Sequence, residues 1–295
     1  MINRYEADLA AVEMALEEVL DFPKGKLQKP VIDAIRYSVL GGGKRIRAVL
    51  AIETCKALGG SLEDAMIPAC ALEMVHAYSL IHDDLPCMDD DDMRRGKPSC
   101  HIKFGEDIAI LAGDGLQTFA FEILSSENAV ETLGADKCIA LIRCLSNAIG
   151  ENGMLGGQTI DVMYEGKQLN PKDHREMAAM KTGALLTASV ECGCIVAGAS
   201  EEQIDIAKRF GMNMGTAFQI VDDILDVISD TETLGKPAGS DVEEEKNTFV
   251  TMLGLDGAKA EAKKLTDEAL SLLKKLCPDN EFLPQLICRL LERTF

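Results

Sequence analysis

The chain has 295 residues, 47% hydrophobic, with only 4% aromatics, no Trp and a formal net charge of -19. That is enough chain for one large or two ordinary domains, and so acidic a surface argues against nucleic acid and anionic lipid as partners. Ala, Leu, Met, Glu and Lys dominate while long alternating β-branched runs are missing, so the expectation is helix with almost no sheet. Residues 2–20 read as an amphipathic helix with Leu9, Val12, Leu16 and Val19 on one stripe, ended by Pro23 and Gly25. A second helix covers 32–40 and stops at Gly41-Gly42-Gly43; K-R-I-R-A-V-L then opens a third through Ala57, closed by Gly59-Gly60. Ser61 with Asp64 resembles a capping box with Asp in place of Glu, at the start of the helix that carries His76. Residues 108–124, around A-G-D-G, are strongly apolar and expected in the middle of the fold. Helices are expected over 135–150, 154–164, 173–196, 201–228, 247–276 and 281–293, with a loop at 231–241. One α-helical domain over 1–295 is the simplest organisation, without linkers or repeats.

The ten cysteines lie mostly in apolar helical sequence and none has C-x-x-C spacing, which reads as buried thiols in a reducing compartment. The start, M-I-N-R-Y-E-A-D, has no apolar signal core, and no run is expected to reach membrane-spanning length. The expected location is cytoplasmic, with no stable membrane association.

Two stretches carry chemistry. Residues 79–96, S-L-I-H-D-D-L-P-C-M-D-D-D-D-M-R-R-G, set Asp83, Asp84, Asp89, Asp90, Asp91 and Asp92 beside Arg94 and Arg95. Acids this dense ionise together comfortably around a hard cation, and Mg²⁺ is usually held by one or two carboxylates plus substrate phosphates, which suit arginine. The alternative is an acidic solvated loop. Pro86 blocks a straight helix, so the chain should bend and let Asp89 approach Asp83. Residues 218–226, F-Q-I-V-D-D-I-L-D, place Asp222 and Asp226 one turn apart on a helix face, with Asp223 adjacent and apolar neighbours around them. Burying such acids without a partner is costly, so a metal or cation is implied unless they form a solvent-facing stripe.

Basic residues cluster as well. G-G-G-K-R-I-R offers Lys44, Arg45 and Arg47 at a helix start, a diphosphate cradle or a plain cap. Lys181 and Thr182, Lys236 and Lys246 are surface residues taken singly and phosphate ligands taken together. Gln158 and Asp161 are i and i+3; His76 lies two turns before Asp83 on the same face, whereas His82, His101 and His174 read as structural or surface.

These motifs in this order, D-D-x-x-x-x-D with R-R, G-G-G-K-R-I-R, G-G-Q-x-x-D, K-T and F-Q-x-x-D-D-x-x-D, resemble the trans-isoprenyl diphosphate synthases over nearly the whole chain. The resemblance is greatest to the bacterial farnesyl diphosphate synthases, with geranylgeranyl synthases close behind. It implies an all-α isoprenoid synthase helical bundle around a central cavity, a homodimer, isoprenoid diphosphate substrates and three Mg²⁺ ions. By the same resemblance Asp83, Asp89 and Asp222 bind metal, and Asp223 and Asp226 complete the second motif. Arg94, Lys181, Thr182, Gln219 and Lys236 hold the allylic diphosphate; Lys44, Arg47, His76 and Arg95 hold isopentenyl diphosphate. The catalytic set implied is Asp83, Asp84, Asp89, Arg94, Lys181, Asp222, Asp223 and Lys236.

The reaction implied is head-to-tail prenyl transfer, with Tyr78 and Ser79, five and four residues before Asp83, setting product length. An aromatic there looks like the farnesyl (C15) type, and geranylgeranyl (C20) is the alternative. A terpene cyclase is disfavoured by the paired K-R-x-R and R-R sites, and a non-catalytic subunit by two intact acidic motifs. Departures from the pattern are Gly115 in A-G-D-G, F-V at 249–250, and a C-terminus with the single arginine Arg293.

Overall fold

Caps and glycines set the helix boundaries much as the chain suggests. The computed structural model describes residues 2–22, 27–228 and 247–291. Its elements fall into two compact units: one of Ile2–Ile52 and Ser61–Ile142, the other of Glu53–Gly60 and the described part of Arg143–Phe295.

The first unit holds α1 (Ile2–Val19), α2 (Lys29–Val39), the start of α3 (Ile46–Ala57) and α4 (Leu62–Asp83). The chain continues through α5 (Cys100–Phe104), α6 (Glu106–Leu124), α7 (Glu127–Leu133) and the start of α8 (Ala135–Ile149). α4 begins as expected: the Ser61 hydroxyl accepts from the Asp64 N–H at 3.1 Å and Asp64 accepts from the Ser61 N–H at 3.0 Å. Its middle is buried nearly all round, from Pro68 to Val75, so it is the core of this unit, packed on α6, α1 and α2. α6 buries one face only, Ala109, Ala112, Gly113, Leu116, Ala120 and Leu124, opposite a face that carries Asp107, Asp114, Thr118 and Glu122. Its other face leaves Ile110 44% and Leu111 54% exposed, which corrects the expectation of a helix sunk in the middle of the fold. Extended structure among the described residues is the two-residue pair β1 (Met93–Arg94) and β2 (Lys97–Pro98).

The second unit contains α9 (Met154–Met163), α10 (Pro171–Ala178), a π-helical turn at Ala179–Gly183, α11 (Ala184–Ala197), α12 (Glu201–Ile228), α13 (Phe249–Leu276) and α14 (Phe282–Leu291). α12 runs along both α11 and α13, and α13 is broken at Gly254 (φ 69°, ψ 163°). The continuous run Pro171–Ala197 is long and apolar enough to cross a membrane, contrary to the sequence expectation. Burial of 61% of its most apolar window inside the protein is what a core helix gives. All cysteines except the exposed Cys87 and the half-buried Cys288 are buried, and none forms a disulfide.

Candidate active site

The first acidic stretch is a built turn. α4 stops at Asp83, before Pro86, which lacks a helical N–H donor and would crowd the preceding turn, although α4 accommodates Pro68 within it. The chain then curls: Leu85 N–H donates to His82 C=O, and Asp89 N–H donates to Asp83 C=O at 2.9 Å. Asp83 and Asp89 therefore share one closed turn, as the proline predicts, and both are half-buried. Asp84 turns inward and is 2% exposed, so the solvated-loop alternative fails for it. Arg94, placed by β1, donates to Asp84 through Nε at 2.9 Å and through Nη2, and to Asp91 at 2.9 Å. Burial pushes the Asp84 carboxyl above the ordinary carboxylate range, although Arg94 opposes it. The same carboxyl outweighs the burial of Arg94 and holds its guanidinium up.

The cations gather around His76. Burial first, then the charges of Arg47, Arg95, Arg45 and Arg94, press its pKa well below the usual imidazole value, so it is neutral. Arg95 donates to Gly42 C=O and lays its guanidinium against Gly43, where a Cβ would sit 3.0 Å from Cζ. That contact is a reason for glycine beyond helix capping. Lys44 is exposed and its C=O accepts from the Tyr5 hydroxyl. Arg45 does not belong to a cradle, which corrects the sequence reading: it is 3% exposed and donates to Glu13 at 2.8 Å, Glu73 at 3.4 Å and Val39 C=O at 2.6 Å. Tyr78 is buried, and burial followed by the charge of Asp83 pushes its hydroxyl up to about 12. Ser79 spends its hydroxyl on His76 C=O at 3.0 Å.

In the second unit the K-T motif sits on the π-helical turn, a distortion common at functional sites. Lys181 Nζ meets Asp161 at 2.5 Å. Gly157 explains the glycines of G-G-Q: a Cβ there would lie 2.2 Å from the Lys181 backbone N, so only glycine lets α9 press against that turn. Thr182 donates to Gln219 at 2.7 Å, Gln219 donates to Asp223 at 2.9 Å, and the Phe249 N–H donates to the other Asp223 oxygen at 2.7 Å. Asp223 is thus the support of its motif; Asp226 is 3% exposed and Asp222 is half-buried. Gln158 Oε1 is buried without a hydrogen-bond partner. Lys236, Lys246 and Arg293 lie outside the described residues.

Asn247 is the residue that motif reading overlooks. Its amide accepts from the Leu169 N–H at 2.9 Å and donates to Tyr164 C=O at 3.2 Å and Lys167 C=O at 2.7 Å. The segment after α9 is thereby tied to the start of α13, where Phe249 holds Asp223. The only local signal is an Asn directly before the Thr248 cap.

The donors offered are hard carboxylate oxygens, of the kind Mg²⁺ takes. Among the described residues no three His, Cys, Asp or Glu side chains converge on a ready cage. A cation held by Asp83 and Asp89, or by Asp222, would draw its remaining ligands from outside the protein, which fits Mg²⁺ with a diphosphate.

Residues 28–280 match the family described as Polyprenyl synthetase. The chain belongs to that family. Among its relatives, the heterodimeric geranylgeranyl pyrophosphate synthase large subunit 1 of Arabidopsis thaliana is 47% identical over 240 residues, 80% of this chain and 65% of that protein. The chain therefore spans about two thirds of the length of that relative. The farnesyl diphosphate synthase of Escherichia coli (strain K12) is 46% identical over 248 residues, 84% of this chain and 83% of that protein. A solved apo structure of an FPP/GFPP synthase from Zymomonas mobilis superimposes with a TM-score of 0.86 at 33% identity, covering 98% of each chain. The all-α fold of this family member is thus the isoprenoid synthase fold, and the family expected from its motifs is the family found.

Proposed function

We propose that the protein is a Mg²⁺-dependent prenyltransferase that condenses an allylic diphosphate, dimethylallyl or geranyl, with isopentenyl diphosphate, head to tail, to give (2E,6E)-farnesyl diphosphate. The observation that carries this reading is the closed Asp83–Asp89 turn at the end of the helix that bears His76, whose pKa burial and the charges of Arg47, Arg95, Arg45 and Arg94 hold down. A cationic cluster on a chain of net charge -19 favours a local anion, and a carboxylate turn two helical turns away suits that anion's metal.

When bound, Mg²⁺ held by Asp83 and Asp89, or by Asp222, would offset negative charge on the diphosphate leaving group. Lys181 and Thr182, on the π-helical turn, would orient the allylic diphosphate with Gln219, and the resemblance gives Arg94 and Lys236 the same role. Arg47, Arg95, Lys44 and His76 would hold isopentenyl diphosphate, the guanidiniums supplying the charge its diphosphate calls for. Asp84 keeps Arg94 in position, and Asp223 keeps Gln219 in position through its bond to the Phe249 N–H. As the allylic C–O bond breaks, the isopentenyl double bond forms the new C–C bond and a proton is lost to the departing diphosphate. No protein nucleophile is needed.

Tyr78 supports a C15 product, since a buried aromatic here would floor the pocket. A C20 product is the second reading, favoured by relatives named geranylgeranyl synthases. We also propose a single-domain homodimer in the cytoplasm; buried thiols without disulfides support a reducing compartment. The test is product chromatography after incubation with dimethylallyl and isopentenyl diphosphates and Mg²⁺. C15 alcohol after dephosphorylation is expected, C20 would favour the second reading, and no product would overturn both.

A further inference from the structure

Tyr78, His82 and Gly113 form a stack between α4 and α6. Tyr78 and His82 are one turn apart on α4, with ring centroids 5.9 Å apart in an edge contact at 70°. On its other side His82 meets main chain: Nε2 lies 3.2 Å from Ile110 C=O of α6. A Cβ at position 113 would stand 2.1 Å from Nε2, 2.5 Å from Cδ2 and 2.8 Å from Cε1. The imidazole therefore occupies the space where any other α6 residue would have a side chain. Backbone yields far less than a side chain does. The imidazole cannot retreat into α6, and the phenol ring cannot swing into the imidazole.

We propose that His82, seated on Gly113, is a positioning residue for Tyr78 and so fixes the length of the prenyl product. This rests on the prenyl-transfer reading and on Tyr78 as the floor of the product pocket. A floor must resist the growing chain as well as occupy its path, and the stack supplies that resistance. With His82 shortened, Tyr78 gains room and longer chains fit. With a methyl at 113, the imidazole is driven toward Tyr78 and shorter chains are released.

The test uses the full chain with dimethylallyl and isopentenyl diphosphates, Mg²⁺ and chromatographic product ratios, with thermal unfolding as the control for folding. His82→Ala should raise the C20:C15 ratio about tenfold, the scale on which apolar pockets discriminate. Gly113→Ala should move the distribution the opposite way, toward C10. In a Tyr78→Ala background His82→Ala should add nothing, because its effect passes through the phenol ring. A purely structural His82 would lower the unfolding temperature and leave the ratios unchanged. If Tyr78→Ala lengthens the product while folded His82→Ala and Gly113→Ala leave it unchanged, the buttress is wrong and the floor stands. If His82→Ala shifts the ratio equally with and without Tyr78, the buttress is also wrong. No shift from any of the three removes floor and buttress together, and a wild-type chain without prenyl product removes the prenyl-transfer reading as well. Should His82→Ala not fold, His82→Asn and Gly113→Ala decide by the same ratios.

Discussion

At the scale of single residues, chemistry in this chain is set by which polar groups are spent on the protein itself. Arg45 is the plainest case: its sequence neighbours Lys44 and Arg47 suggest phosphate binding for all three, yet Glu13 and Glu73 consume it. Nothing local distinguishes these cations, because the partners lie 32 and 28 residues away in sequence. His174 is a second case, 1% exposed with neither ring nitrogen hydrogen-bonded, and edge-on to Phe249 at 4.5 Å. Burial lowers its pKa from 6.5 to about 4, against the charge of Asp161. The unfolded chain therefore binds a proton that the folded chain refuses, and stability falls as pH drops from about 6.5 toward 4. The full difference is on the order of 3 kcal/mol. His174→Leu should show a shallower loss of melting temperature than wild type across that window; parallel profiles would mean that His174 is not what titrates.

Among the elements, the long helices were legible, whereas the short α5 and α7 and most junctions were not. Helix starts at Ser61 and Glu201 and ends such as Ala57 follow local signals: capping side chains, glycines, and the period of apolar residues. The turn after Asp83 was legible for a similar reason, since Pro86 leaves the chain few options. The π-helical turn carrying Lys181 and Thr182 was not, because its cause is tertiary: α9 presses on it through Gly157. The two-residue hairpin that places Arg94 is also too short to leave a pattern. Asn247 ties the segment after α9 to the start of α13 through three hydrogen bonds. Asn247→Ala should cost about 1–3 kcal/mol of stability. It should also slow turnover by loosening Phe249 on Asp223; denaturant titration beside steady-state rates checks both. Lost stability with an unchanged rate would confine the clamp to folding.

For the whole molecule, the acidic charge and the exposed apolar side chains of α6, α7 and α8 bear on assembly. Among the described residues Ile110, Leu111, Val130 and Ile139 are 44%, 54%, 43% and 54% exposed, apolar area that a second copy could cover. This supports the proposed homodimer, and Leu111→Lys should shift it toward monomer in sedimentation at micromolar concentration; a wild-type chain that sediments as a monomer would refute the dimer. Motif order made the family and the helical class readable from sequence, because the acidic pairs, glycines and basic residues keep fixed spacings along helices. The packing of Tyr78 and His82 on Gly113, on which the proposed control of product length rests, was not readable in the same way, because Gly113 lies on another helix. The most direct test of the central claim is the initial rate of diphosphate release from geranyl plus isopentenyl diphosphates. The rate should require Mg²⁺ and both substrates, and fall about 10²–10³-fold in folded Asp83→Asn and Asp222→Asn. Release that is unchanged in these variants, or that proceeds without isopentenyl diphosphate, would contradict it.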